Sequence, residues 1–243
     1  MYEAIVRWNL GDVSKEGLDC LQLSIEKFQN LHKNYSFDYY VFYNGIKKDR
    51  LKNLKNVKII SKSDYKNSLL IPPPHEKHDL PAWKLYPPRV DKNKHEIIID
   101  NDIVIFNKIN YLDDFLKNKI VYITEAKERA YSGKVEPYIP KKFHINSGFI
   151  CLPPEFDLQK KINDVIKDFN ITTWDNHKDE QAIIGYIFSQ MNNLKLISIT
   201  DIFVCYDYIL KNAKFGYHFT GLNKNKRYCW HKYLNKSYKN LKI

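Results

Sequence analysis

Three isoleucines in a row, Ile97, Ile98 and Ile99, stand between His95-Glu96 and Asp100-Asn101-Asp102 and restrict this chain more than any other stretch. A short β-branched run of this kind, bounded by polar and turn residues, reads as a strand buried on both faces, which belongs inside a helix-covered sheet. The run ends abruptly in two carboxylates one residue apart, and Ile103-Val104-Ile105-Phe106 resumes the apolar pattern beyond them. In open α/β sheets the carboxyl end of such a strand is where ligands bind.

Paired carboxylates at that position suit a hard divalent cation. Mg²⁺ or Mn²⁺ held by one or two acids keeps coordination sites for substrate phosphates, so the expected ligand is a metal diphosphate. The same three residues are also ordinary turn chemistry, because Asp and Asn bond their own backbone and accept left-handed geometry.

Around this strand, apolar runs alternate with helical spacing. Residues 2–8 read as a first strand, Ser14 opens a helix through Leu18, Leu21, Ile25 and Phe28, and residues 39–43 and 57–60 read as further strands. Strand, helix, strand at this spacing predicts an α/β fold, a three-layer α/β/α Rossmann-like arrangement with a mostly parallel sheet. Pro72-Pro73-Pro74 and Pro87-Pro88, on either side of Trp83-Lys84-Leu85-Tyr86, predict an irregular loop with a short helix. Downstream we expect a helix over 112–116, a strand over 120–123, a polar loop over 125–144 and a strand from Gly148 to Leu152. Helices over 155–168 and 179–190 and a strand over 194–199 follow. A loop as long as 125–144 inside a compact domain is commonly functional. With no repeat or linker in view, the division is one domain over 1–223 and a basic, aromatic tail over 224–243.

Composition narrows the classes. Hydrophobic residues make up 44%, which places the chain among globular proteins. No apolar stretch approaches a membrane span, and the opening residues lack the core of a signal peptide, so a cytoplasmic location is expected. Cys20, Cys151, Cys205 and Cys229 form no Cys-x-x-Cys pair, which argues for reduced thiols rather than a zinc site. The net charge of +11 invites phosphate-bearing partners, nucleic acid included, yet only five of the 39 cationic side chains are Arg. In the tail, Tyr228, Trp230, Tyr233, Leu234 and Tyr238 interleave with lysines. That mix suits an anionic membrane interface, stacking on single-stranded nucleic acid, or packing on the domain itself.

Four segments fall in order: Trp83-Lys84-Leu85, Asp100-Asn101-Asp102, Asn146-Ser147-Gly148, and His218-Phe219-Thr220-Gly221 with Lys224. This ordered set resembles the GT-A glycosyltransferases, most closely glycosyltransferase family 8, which includes glycogenin and the bacterial lipooligosaccharide galactosyltransferases. The resemblance implies a GT-A fold and Mn²⁺ (or Mg²⁺) held by Asp100, Asp102 and His218, with Asn101 between the acids. It places Lys224, in one segment with Gly221, at the donor phosphates. Lys84 and Arg89 are further phosphate candidates, with a solvated surface position as the alternative for Lys84. Asn146 is implied beside the donor sugar. Gln181 matches a family Gln near the reacting face, while Glu180 stands where the family has Asp and Asp179 precedes it, so the acid is open between the two. A helix-capping role for Asp179 stays open as well.

Two departures accompany the match. Lys224 runs into Asn225-Lys226-Arg227 where the family has Pro-Trp, and Arg7-Trp8-Asn9 replaces a family Thr-Asn-Asp, leaving Trp8, Asn9 and Asp12 as candidates for the base pocket. The activity implied is transfer of a hexose from a nucleotide-sugar, UDP-hexose foremost, to a glycan or lipid-linked acceptor with retention. Similar tails in the lipooligosaccharide galactosyltransferases are associated with peripheral membrane attachment, here at the inner face. Modified DNA bases as acceptor, a metal-dependent nucleic-acid-binding protein or nuclease, and a catalytically silent member of the fold are the alternatives.

Overall fold

The computed structural model describes residues 3–66, 68–71, 82–174, 178–205, 212–220 and 229–234. Strand β1 (Glu3–Leu10) leads into helix α1 (Lys15–Leu31), then β2 (Ser36–Tyr43) and β3 (Lys58–Ser61). The isoleucine run is β4 (His95–Asp100), and β5 (Ile103–Ile105) follows one turn later. Next come α2 (Leu112–Lys117), β6 (Val121–Glu125), β7 (Ile145–Leu152), α3 (Leu158–Asp168), α4 (Asp179–Ser189) and β8 (Leu194–Ile197). Two strands of three residues, β9 (Ile202–Val204) and β10 (Gly216–His218), complete the set.

Seven strands form one sheet in the order β3-β2-β1-β4-β7-β6-β8. β7 runs antiparallel to both of its neighbours, while every other pairing in this sheet is parallel. The mostly parallel α/β expectation therefore holds. Strand parity decides the layers. Ala4, Val6, Trp8 and Leu10 of β1 join Ile97 and Ile99 of β4 in a core with α1 and α2, whereas Ile5 and Ile98 belong to the core under α3 and α4. Arg7, Asn9, Glu96 and Asp100 share the parity of that second face, so its charged residues lie along one line of the sheet. At the start of α1, Ser14 accepts a hydrogen bond from the Gly17 N–H at 3.3 Å, an N-cap as its position before the helical spacing suggests.

Two features differ from the reading of the sequence. Asn146-Ser147-Gly148 is not a turn ahead of a strand but lies inside β7. There the pairing with β6 jumps from Ile123↔Ile150 to Thr124↔Asn146, a bulge held by the Thr124 hydroxyl donating to the Phe149 carbonyl at 3.2 Å. Bulges of this kind re-aim side chains next to sites. The other is a small second sheet, β5-β10-β9, in which β10 is antiparallel to β5 and parallel to β9. Strands of three residues carry too few positions for a period to show.

Helical residues 229–234 bury Trp230 and Tyr233 against Phe219 and Tyr217, with ring centroids 5.3 Å (Phe219–Trp230) and 5.8 Å (Tyr217–Tyr233) apart. These two tail aromatics pack on the domain and are not presented to a membrane or a base; Tyr228 and Tyr238 lie outside the described residues. All four cysteines are free and buried. No described helix is long and apolar enough to cross a membrane.

Candidate active site

β4 ends at Asp100, and residues 101 and 102 turn the chain into β5. β10 pairs with β5 so that His218 faces Ile103, and the Phe219 N–H donates to the Asp102 carbonyl at 2.8 Å. That pairing carries an imidazole from 116 positions downstream to the acidic turn. One ligand atom each from Asp100, Asp102 and His218 lies within 4.8 Å of the others, and His218 Nε2 is 3.1 Å from Asp102 Oδ1. The carboxylate side chains are 21% and 18% exposed against 5% for His218, so the group opens toward solvent through its acids.

β7 forms the wall behind the imidazole. A Cβ on Gly148 would stand 2.6 Å from His218 Cε1 and 2.8 Å from Asn146 Oδ1, so the backbone approaches as closely as it does because residue 148 has no side chain. Asn146 Oδ1 accepts the Gly148 N–H at 2.9 Å, fixing the bulge rather than reaching outward.

Lys84 takes a position that its sequence context left open. It sits in a 3₁₀ turn, Ala82–Leu85, and is buried. Its Nζ lies 3.2 Å from Asp100 Oδ2, 3.4 Å from Glu180 Oε1 and 2.9 Å from Ser147 Oγ, to which it donates. Burial by itself lowers the lysine's pKa, but the two carboxylates and their hydrogen bonds outweigh it and hold the group above its ordinary value. Glu180 shows the complementary balance: burial and the Asp100 charge push it up against the pull of Lys84 and of the Ser147 hydroxyl at 3.2 Å. The surface alternative for Lys84 is thus excluded. Ser147 was not among the predicted residues, since simple strand alternation would send it to the face opposite Asn146; only the bulge makes it a partner of Lys84.

At the start of α4, Asp179 accepts from the Ser132 hydroxyl at 2.6 Å, and Gln181 Nε2 donates to the Ala130 carbonyl at 2.9 Å. Both therefore pin the 126–144 loop to the helix, leaving Glu180 as the acid beside Lys84 and Asp100. That loop is also tied to itself. Arg129 donates to the Glu136 and Pro140 carbonyls, and Tyr131 accepts the Ile145 N–H while donating to the Phe143 carbonyl.

Of the base-pocket candidates, Trp8 belongs elsewhere. Its parity points it at α1, where it is fully buried, donates from Nε1 to Ser24 Oγ at 2.8 Å and meets Phe28 edge-on. Asn9 lies opposite Asp100 in the β1–β4 pairing, is 4% exposed, and leaves both side-chain polar atoms without a hydrogen bond among the described residues. Buried amides are normally hydrogen-bonded, so this one has both its donor and its acceptor to spare next to the acidic turn. Asp12 is exposed, 3.8 Å from Arg50. Arg89 is likewise not at the acidic end. It faces Glu96, four residues before Asp100, and donates to the carbonyls of Pro153, Phe156 and Lys94, so it fastens the start of β4 and stands away from the Asp100–Asp102 turn. Asn101 stays in the turn between the acids, half-buried. Gly221 and Lys224 lie outside the described residues.

Among solved structures, this chain superposes on the galactosyltransferase LgtC, crystallised with donor and acceptor sugar analogues, with a TM-score of 0.59 at 10% identity over 96% of this chain and 94% of that one. The fold is the GT-A glycosyltransferase fold. The glycosyltransferase GlyE of Streptococcus pneumoniae TIGR4 shares it with a TM-score of 0.57 and 11% identity over 98% of this chain and 64% of that one. A glycosyltransferase involved in glycosylation of the major capsid of PBCV-1 gives 0.52 and 12% identity over 95% and 99%. No protein-family model and no curated protein matches the sequence. At these identities the GT-A architecture persists with almost none of the sequence, which is what a core specified by pattern rather than by particular side chains allows.

Proposed function

We propose that this protein is a metal-dependent glycosyltransferase that moves a hexose from a nucleotide-sugar, UDP-hexose foremost, to a hydroxyl of a glycan or lipid-linked acceptor. The observation that carries this reading is the convergence of Asp100, Asp102 and His218 at the carboxyl end of β4. Two carboxylates and an imidazole fit a divalent cation of the Mn²⁺ or Mg²⁺ kind, with Mn²⁺ favoured by the nitrogen ligand. The buried His218 Nδ1 has no hydrogen-bond partner among the described residues, so the ring has a nitrogen to spare for orientation or ligation.

A cation bound there supplies Lewis-acid neutralisation of the charge that gathers on the departing diphosphate. The chain's own residues account for the rest. Lys84, held between Asp100 and Glu180, brings a fixed positive charge to the same oxygens and needs only to leave one carboxylate to reach them. Asn9 offers its free amide to the nucleoside. Glu180 and Ser147 line the side on which the sugar would lie, and Asp179 and Gln181 hold the 126–144 loop against the start of α4 beside it. Lys224 would add a second phosphate contact. Retention rests on the family resemblance, and the solved LgtC complex with donor and acceptor sugar analogues supports both partner classes.

The test is a screen for nucleotide release from UDP-, GDP- and other nucleotide-hexoses with and without Mn²⁺. We expect release from one donor class, abolished by EDTA and by Asp102→Ala in a protein that still melts cooperatively. Absence of turnover with every donor, together with no thermal stabilisation by UDP plus Mn²⁺, would overturn the proposal.

A further inference from the structure

A separate cavity of about 500 Å³ opens on the same sheet face at the other end of β4, where the strand begins. Its walls come from the 87–92 segment, the end of β7 and the first turns of α3, and it contains none of Asp100, Asp102, His218 or Lys84. From its residues we infer that this cavity is a binding site for a small phosphorylated organic anion. The inference goes beyond the glycosyltransferase reading and does not depend on it.

Charge is the starting point. Six cationic side chains, Arg7, Lys66, Arg89, Lys92, Lys160 and Lys167, line the cavity against three carboxylates; Arg7 and Arg89 share the one buried charge of Glu96 behind the wall, and Lys92 lies 3.8 Å from Asp157. Two of those acids already have work: Asp157 accepts the Lys160 N–H at 2.9 Å to cap α3, and Glu155 lies 3.6 Å from Lys119 outside the cavity. Lys66, Lys160 and Lys167 are exposed at the rim and form no ion pair among the described residues.

Unspent hydrogen-bond donors point the same way. Arg7 Nη1 donates to the Pro87 and Pro88 carbonyls and Nε lies 3.1 Å from Glu96, while Nη2 makes no hydrogen bond among the described residues. The Arg7 guanidinium lies over the Phe42 ring, and Tyr65, packed edge-on to the same ring, buries its hydroxyl without a hydrogen-bond partner among the described residues. Buried donors are normally satisfied, so the orphaned Tyr65 hydroxyl, with the spare guanidinium edge of Arg7 near it, calls for an acceptor-rich ligand. A phosphate presents several charged acceptors at once, which suits a guanidinium edge and flexible lysines together. Pro87, Leu152 and Phe156 give the cavity apolar walls for the organic body, and the volume falls within the usual range of about 300–1,000 Å³ for small-molecule sites.

Calorimetric titration of the full chain in EDTA at low salt tests this, with glucose 6-phosphate and, separately, dihexanoyl phosphatidic acid below its micelle-forming concentration. EDTA removes any cation from the acidic turn, and a double variant of the rim lysines separates binding in this cavity from binding by the lysines at that turn. We expect a single saturable site for at least one probe, and which probe binds distinguishes a free sugar phosphate from a lipid headgroup. A Lys160→Glu/Lys167→Glu double variant with an unchanged melting temperature should bind at least tenfold more weakly. Failure of both probes to bind saturably, or binding that survives the double substitution undiminished, would overturn the inference.

Discussion

Gly148 and His218 touch so closely that a single methyl group on the glycine would lie 2.6 Å from the imidazole Cε1. The imidazole is therefore held by backbone on one side and by the Asp102 carboxylate on the other, and its place in the site depends on a residue that contributes no functional group.

Gly148→Ala should accordingly displace His218 while leaving the core intact, because β7 keeps its pairing on both edges. Disturbing a ligand's support typically costs about 10- to 100-fold in metal affinity. Titration of Mn²⁺ by the broadening of water relaxation should report a loss in that range, with little change in the denaturation midpoint. Unaltered metal binding in the variant would detach His218 from the ion.

Lys84→Met leaves Asp100 and Glu180 facing each other without the cation between them. Removing one partner of a buried charge cluster costs about 3–5 kcal/mol, and the partial exposure of Asp100 places the expected loss near the lower figure. The double variant Lys84→Met/Glu180→Gln should recover much of that stability but no donor turnover. Urea denaturation of the single and double variants provides the comparison; equal stabilities would mean that the carboxylates do not sense each other.

Arg89 offers a contrast. Its substitution by Ala should act on folding and not on chemistry, since it is spent on Glu96 and three carbonyls at the start of β4. Leaving Glu96 buried with one arginine instead of two should cost about 3 kcal/mol or more. The fraction that remains folded should keep its nucleotide affinity, measured by fluorescence titration with UDP and Mn²⁺.

Acid should weaken the fold through His32. Burial, offset in part by the hydrogen bond with Phe28 O and reinforced by Lys108, lowers this histidine to about 4. Its Nδ1 faces the Phe28 carbonyl at 2.9 Å and its Nε2 accepts the Ile109 N–H at 3.3 Å, so a second ring proton has no place to go. Above about pH 6.5 both folded and unfolded states hold it neutral. Between 6.5 and 4 the unfolded chain takes up a proton that the folded one refuses, and stability falls by on the order of 3 kcal/mol across that window. His32→Gln should flatten this part of the stability profile, as followed by denaturant midpoints from pH 7 to 4.5.

Much of the site was legible from residue order. The isoleucine run, the Asp-x-Asp ending and the Ser14 cap are local signals, and each lies where its chemistry puts it. Asn146-Ser147-Gly148 was recognisable as a unit but not as part of a strand, because the bulge that contains it is defined by pairing with β6. Lys84 and Arg89 share one short segment and the same charge, yet one lies against Asp100 and the other against Glu96. Nothing in their immediate neighbours distinguishes them.

Period and turn chemistry are properties of a few consecutive residues, so the sequence alone set the longer strands, the helices, the mostly parallel sheet and the acidic turn, but not the three-residue strands β9 and β10 or the bulged start of β7. Parity along β1 likewise sends Trp8 and Asn9 to opposite faces, but which face carries the site depends on the layer that covers it. Tertiary structure decided that Asn9 and not Trp8 stands beside Asp100, that Lys84 is buried, and that His218 reaches Asp102 through the β5–β10 pairing. Contacts between segments so far apart in the chain leave no local trace, because they arise only when separate elements bury their apolar faces together.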